Sequence, residues 1–327
     1  MGALKLPENP RAIRLFGEVD ARYQAFADRL PESLGRMARL RRTYLGSPSA
    51  EPFKGIADLN PVLAGTPWMF WEQFQHFDDE QFLAIAEGGA LFVLASILLD
   101  HIIDRQVDQP QAASLLHQAL HAHGTQCLRA ALPASTSFWA QFERLSADHL
   151  AGLAAELDAQ ADTSCMREET FTQMAHGKVS PIVVTLAALA EASGRPAILP
   201  PMEASLKHIA VASQLLDDIG DWQQDIEAGH VTYFLTQIPA YRNSQGMPAQ
   251  IVEATRAGIN ADWLDVDYLN VTLDWLRKSV EAVSRLECPG WLAYVEGYRQ
   301  LTDEHLTVGV ARHLVRVLRP IVAGSAS

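Results

Sequence analysis

Gln214-Leu215-Leu216-Asp217-Asp218-Ile219-Gly220-Asp221-Trp222-Gln223-Gln224-Asp225 is the stretch on which the fold turns. Asp217, Asp221 and Asp225 stand at i, i+4 and i+8. At 3.6 residues per turn such positions drift only ~40° per step, so a helix carries them as one carboxylate stripe. Asp218 points to a neighbouring face. The stripe continues the largely apolar run Ile209–Leu216, which extends the helical pattern upstream. Three stacked carboxylates with no Lys or Arg among them repel one another. A solvated acidic face is the bland alternative, but such a face commonly mixes in basic residues. Magnesium is a hard cation that takes carboxylate, water and phosphate oxygens. Bound together with a diphosphate, it supplies the missing positive charge.

A second acidic site lies upstream, in Leu98-Leu99-Asp100-His101-Ile102-Ile103-Asp104-Arg105. Asp100 and Asp104 share one helical face, one turn apart, after the apolar run Phe92–Leu99. Taken alone, this pair also reads as a helix end emerging into water. Between the two acidic sites lies His176-Gly177-Lys178-Val179-Ser180-Pro181. Lys178 is the only basic residue between Arg167 and Arg195 apart from His176. It reads as a donor to diphosphate oxygens, or as an exposed helix lysine.

The bulk composition narrows the function. The 327 residues are 48% hydrophobic, enough to bury a large core. Asp and Glu number 39 against 26 Lys and Arg, a net charge of −13. That balance argues against a nucleic-acid surface and against docking to anionic membranes. It leaves a phosphorylated substrate open, because bound divalent ions reverse the sign of a local site. Cys127, Cys165 and Cys288 are far apart and form no CxxC spacing, which argues against a disulfide framework or a zinc site. The N-terminus is charged too early and too often for a secretory signal, and Leu6 stands where myristoylation would want Ser or Thr. The longest uncharged apolar stretches, Gly88–Leu99 and Val179–Ala190, fall short of the ~20 residues a membrane-spanning helix needs. The expectation is a cytoplasmic protein without a transmembrane segment.

Strand signals are nearly absent, and apolar residues recur at three- and four-residue spacing almost throughout. Proline and glycine punctuation predicts helices over 10–29, 32–45, 68–75, 78–105, 111–131, 135–160, 167–193, 201–227, 248–258, 262–287 and 290–318. The expected architecture is all-α: a single domain over 1–327, formed as one large helical bundle around a central apolar cavity. Residues 1–60 form its N-terminal helices, and 324–327 fray.

Asp217-Asp218-Ile219-Gly220-Asp221 resembles the second aspartate-rich motif, DDxxD, of trans-prenyl diphosphate synthases. The wider Asp217…Asp221…Asp225 span is similar to the second metal motif of class I terpene synthases, with Asp221 in place of Ser/Thr and Asp225 in place of Glu. The downstream Gly229-His230-Val231-Thr232-Tyr233 resembles the Gly-Arg-x-Tyr stretch of squalene and phytoene synthases. Asp100-x-x-x-Asp104 resembles the DxxxD of those enzymes and of class IB terpene synthases. It lacks the adjacent second Asp of chain-elongating synthases and the Arg pair that follows it; only Arg105 is present. His176–Pro181 resembles the segment that contributes a diphosphate-binding lysine in prenyl synthases.

The class I isoprenoid synthase resemblance covers roughly residues 90–235, and it implies a site. Asp100, Asp104, Asp217, Asp218, Asp221 and Asp225 would hold two or three Mg²⁺, with Asp100, Asp104, Asp217 and Asp221 catalytic. Lys178, His230 and Arg299 would bind the diphosphate. The implied reaction is ionisation of a linear C15–C25 prenyl diphosphate, by a terpene cyclase releasing diphosphate. The alternative is a prenyltransferase, head-to-head or chain-elongating. Trp68, Phe70, Trp71, Phe82, Phe92, Phe171, Trp222 and Tyr233 are aromatic faces available to a carbocation, although core packing suits each of them. A homodimer is a further expectation from the resemblance. A ferritin-like di-metal bundle fails for want of paired Glu-x-x-His motifs, since Glu227-x-x-His230 stands alone near the acidic helices. A catalytically dead helical partner protein would have no use for the stripe.

Overall fold

A computed structural model describes residues 6–45, 51–134 and 137–324, with side chains as far as Arg316. Among the described residues there are sixteen α-helices, three short 3-10 turns and no strand; the one extended pairing is an isolated bridge between Leu40 and Pro52. The all-α reading is therefore correct.

Helix ends fall where their chemistry dictates. Pro10–Arg29 begins as expected, with the Asn9 side chain accepting from the Arg11 and Ala12 N–H groups and Pro10 at the first helical position. It stops at extended Leu30, ahead of Pro31. Asp79–Ile103 is capped by Asp78, which accepts from Glu80 and Gln81. The expected 32–45 helix divides into Glu32–Ala38 and Arg41–Leu45. The region around 68–75 is three single turns, Pro61–Ala64, Thr66–Met69 and Trp71–Phe74. Trp263, left-handed at φ 57°, separates Pro248–Asp262 from Leu264–Ala282. Pro181 lies inside Glu168–Ala192. An interior proline costs a helix ~3 kcal/mol, and burial of Ile182, Val183, Leu186 and Leu189 around it offsets that cost. The expected frayed end, 324–327, lies beyond Gly324 outside the described residues.

The chain forms two compact units. The first comprises 1–150, 178–203 and 283–294; the second comprises 151–177, 204–282 and 295–327. In the first, Trp68 sits at the centre of an aromatic core. Its ring meets Phe16 and Phe82 edge-on at 4.9 and 5.6 Å, and its Nε1 donates to the Ala12 carbonyl. Phe70 stacks on Trp291 at 5.2 Å. Asp79–Ile103 is the core helix of this unit, and two adjacent glycines let neighbours approach it on two sides. A Cβ on Gly88 would lie 3.0 Å from the Gly124 carbonyl oxygen, and one on Gly89 would lie 1.9 Å from Thr185 Oγ1. By length and composition this helix is apolar enough to cross a membrane, but 78% of its most apolar window is buried within the protein.

In the second unit, Phe171, Ala175, Val211 and Leu215 form one buried cluster, against which Tyr233, Tyr268 and Trp275 pack. Ile226, Phe234, Leu235, Ile238, Val252 and Ile259 form another. Gly152 meets Gly177 closely enough that a Cβ would fall 2.8 Å from the Gly177 Cα. Ser205 and Ser279 pair inside the core, Oγ to Oγ at 2.8 Å.

Candidate active site

In the first unit, Asp100 lies in the last turn of Asp79–Ile103, and Asp104 follows one residue beyond the helix. The Asp104 N–H still donates to the Asp100 carbonyl at 2.9 Å, so the one-turn spacing survives. Arg105 turns left-handed at φ 60° and ends the helix there, two residues earlier than expected. Asp104 is exposed and Asp100 half-buried. Lys178 Nζ stands 3.7 Å from Asp100 Oδ1, both side chains about one-third exposed. Two residues singled out from separate stretches of sequence are thus brought into contact.

In the second unit, the Leu199–Ala228 helix carries the stripe. Asp217 and Asp221 are exposed and Asp225 is half-buried. Burial pushes the Asp225 carboxyl up to about 6; His230 pulls it down, and the charges of Asp217 and Asp221 push it up again. The charges of Asp217 and Asp221 thus reach Asp225, as the spacing requires. Gly229, at φ 76°, closes the helix, and the His230 N–H donates back to the Asp225 carbonyl at 2.8 Å. Gln160 holds the following strand of chain by two bonds to the Val231 backbone, at 3.0 and 3.1 Å.

Asp218 behaves differently. It is 3% exposed. Its carboxylate accepts from Gln214 Nε2 at 2.9 Å and from the Phe234 N–H, at the start of the short Tyr233–Gln237 helix. Burial pushes its pKa up to about 7; the two hydrogen bonds lower it, while Asp225 and Asp217 raise it. Gln214 was not singled out from the sequence. Its place four residues before Asp218, where Gln and Asp side chains meet on a helix, was the available signal. Arg299 spends its guanidinium on its own helix, with Glu296 at 2.7 Å and with Asp303. Among the candidate aromatics, Trp68, Phe70, Trp71 and Phe82 are core residues of the first unit, and Phe171 stacks on Tyr233 at 4.8 Å in the second.

The donor chemistry fits magnesium. Asp217, Asp221 and Asp225 offer only hard oxygens along one face, and a divalent cation bound there would offset their mutual repulsion. Asp100 and Asp104 offer the same atom type, with a lysine beside them.

The fold is that of the class I isoprenoid synthases. The geranylgeranyl pyrophosphate synthase of Lactobacillus brevis superposes with a TM-score of 0.70 at 13% identity, covering 91% of this chain and 97% of that one. A polyprenyl synthase from Caulobacter crescentus, complexed with calcium and isoprenyl diphosphate, gives 0.64 at 16% identity over 90% and 96%. A decaprenyl diphosphate synthase from Rhodobacter capsulatus gives 0.65 at 13% over 90% and 96%. At these identities the likeness carries the fold alone. No protein-family model and no curated protein matches the sequence.

Proposed function

We propose that this protein is a Mg²⁺-dependent enzyme of prenyl diphosphates, and that it is a prenyltransferase, joining an ionised allylic prenyl group to a second isoprenoid. The observation that carries the proposal is the stripe of Asp217, Asp221 and Asp225 at i, i+4 and i+8 on one face of the Leu199–Ala228 helix. The solved structures with this fold named above are synthases of prenyl diphosphates, which favours transfer over cyclisation. In this proposal residues 1–327 act as one catalytic domain.

Mg²⁺, when bound, supplies the charge that makes diphosphate a good leaving group. The residues' own tasks follow from their chemistry. Asp217, Asp221 and Asp225 on one helix, and Asp100 and Asp104 at the end of another, would each hold Mg²⁺ through carboxylate oxygens. Lys178, whose Nζ stands 3.7 Å from Asp100 Oδ1, would donate to a diphosphate oxygen. His230 lies beside Asp225 electrostatically and offers a second donor. Asp218 serves as a positioning residue that ties the stripe helix to the Tyr233–Gln237 turn. Arg299, which pairs with Glu296 and Asp303 on its own helix, would reach a diphosphate only by leaving those exposed partners.

A second reading, a terpene cyclase, is favoured by one specific feature: Asp100-x-x-x-Asp104 lacks both the second Asp and the Arg pair of chain-elongating synthases. The same feature suits head-to-head transfer. Incubation of C10 to C25 allylic diphosphates with Mg²⁺, with and without a homoallylic C5 diphosphate, separates the readings. A product that requires two substrate molecules supports transfer. Hydrocarbon or alcohol from one allylic diphosphate alone supports the cyclase. No diphosphate release from any of them overturns the enzymatic proposal.

A further inference from the structure

His123 and Cys127 stand four residues apart on the Pro110–Ala131 helix, so both face one side. Glu87, from the Asp79–Ile103 helix, faces them. One donor atom from each, a carboxylate oxygen, an imidazole nitrogen and a thiol sulfur, lies within 4.8 Å of the other two. All three belong to the first unit. Glu87 is 8% exposed, on a helix that is otherwise almost wholly apolar there. Its two oxygens have separate partners: Oε2 faces Arg22 Nη1 at 3.5 Å, and Oε1 faces His123 Nε2 at 3.3 Å. The His123 ring is fixed by stacking on Phe26, with centroids 5.0 Å apart and planes 11° from parallel.

An electrostatic network alone accounts for Glu87, Arg22 and His123, and leaves Cys127 beside it as a thiol that burial and the Glu87 charge push up to about 12. Metal geometry accounts for all three donors. Two nitrogen or oxygen ligands ~2.0–2.1 Å from a tetrahedral zinc ion stand about 3.3 Å apart, which is the separation between Glu87 Oε1 and His123 Nε2. A thiolate ~2.3 Å from the same ion stands about 3.6 Å from each. Cys127 Sγ therefore closes about 1.2 Å at most, within reach of a side-chain rotation.

We propose that Glu87, His123 and Cys127 form a site for zinc or a similar borderline-soft divalent ion, with a fourth position open to water. Such a site staples the Asp79–Ile103 helix to the Pro110–Ala131 helix. On binding, the Cys127 thiol gives its proton to solvent and the sulfur–metal bond forms, with no change of oxidation state. Arg29 is exposed and its Nη2 lies 3.3 Å from His123 Nε2, so it swings away on binding. Arg22 stays on Oε2 of Glu87 and on Glu80, 2.8 Å away, as the orienting outer partner. Sulfur and nitrogen donors make this site chemically unlike the all-oxygen stripe, and they select zinc over magnesium.

Titration of the full chain with Co²⁺ and then Zn²⁺, after chelator treatment and in excess Mg²⁺, tests the site. Expected is one equivalent of tightly bound Co²⁺ with a thiolate-to-cobalt charge-transfer band, displaced by Zn²⁺. Zn²⁺ should also raise the melting temperature, reversibly on chelation. Cys127→Ser should remove the band. His123→Ala and Glu87→Gln should each weaken Zn²⁺ binding more than tenfold, since even outer partners of metal ligands are worth that much. Arg29→Ala should bind Zn²⁺ at least as tightly as the wild type, because a competing donor to His123 is gone. Should Cys127→Ser fail to fold, Glu87→Gln and Arg29→Ala carry the test. Absence of the band in the folded wild type, a band that survives Cys127→Ser, or Zn²⁺ binding unchanged in Glu87→Gln overturns the proposal.

Discussion

Asp20 shows how a single carboxylate sets a pH dependence. It lies partly buried on the first helix and accepts from the Ile56 N–H at 2.6 Å. Burial pushes its pKa up to about 6, against the smaller opposing effect of backbone hydrogen bonds from Ile56 and Ala57. The folded state thus holds this proton more tightly than the unfolded chain. The stabilisation is full below the ordinary carboxylate pKa and is lost as pH rises through about 6. Asp20→Asn keeps the acceptor for Ile56 and removes the buried charge. It should stabilise the protein at pH 8 by about 1–2 kcal/mol, with the gain vanishing near pH 4, as read from melting curves across that range. Among the stripe aspartates a different contrast is expected. Asp221→Ala removes an exposed, mutually repelling charge, so turnover should be lost while melting stays unchanged or rises. Asp218→Ala should instead lower stability by about 1–3 kcal/mol, because the Phe234 N–H and Gln214 lose their buried acceptor. Equal stability loss in both variants, measured by denaturant unfolding, would show that Asp221 and Asp218 are alike structural and not divided into a proposed metal ligand and a positioning carboxylate.

Elements were legible to the extent that their signals were local. Asn9-Pro10 and Asp78 start helices, and Gly229 stops one, because caps and positive φ are properties of a few adjacent residues. The 61–74 region was read as one helix over 68–75 but is three turns, since side chains such as Trp68 and Phe70 are drawn into separate aromatic contacts by the core. Pro181 sits mid-helix for the converse reason: tertiary burial overrides a local penalty. The Gly88-Gly89 pair could be seen in the sequence, but not what it admits. Gly89→Ala should destabilise by about 1–3 kcal/mol through overpacking against Thr185. Relief of most of that loss in the Gly89→Ala/Thr185→Ala double variant, which removes both Oγ1 at 1.9 Å and Cγ2 at 2.7 Å from the new methyl, would identify the contact as the cause.

At the scale of the whole molecule, a net charge of −13 means that a cation bound at the proposed site would relieve self-repulsion and so stabilise the fold. Mg²⁺ with inorganic diphosphate should raise the melting temperature of the wild type. At a hundredfold excess over Kd, the stabilisation is about 2.7 kcal/mol. The Asp217→Ala/Asp221→Ala variant should show none of it by differential scanning fluorimetry. A full response in that variant would move the diphosphate away from the stripe.

What the sequence determined by itself was whatever repeats along one helix: the all-α class, the carboxylate stripe, the Asp100–Asp104 turn and the main breaks. Those are set by spacing, and spacing survives folding. Only the tertiary structure decided which distant residues meet. It set Lys178 beside Asp100, buried Asp218 under Phe234, and spent Arg299 on its own helix. It also joined Glu87 to His123 and Cys127, where cysteine spacing alone argued against a zinc site. The reason is physical: a donor's partner is chosen by helix packing, and packing is fixed by close approaches such as Gly88 on Gly124 that no one-dimensional pattern displays.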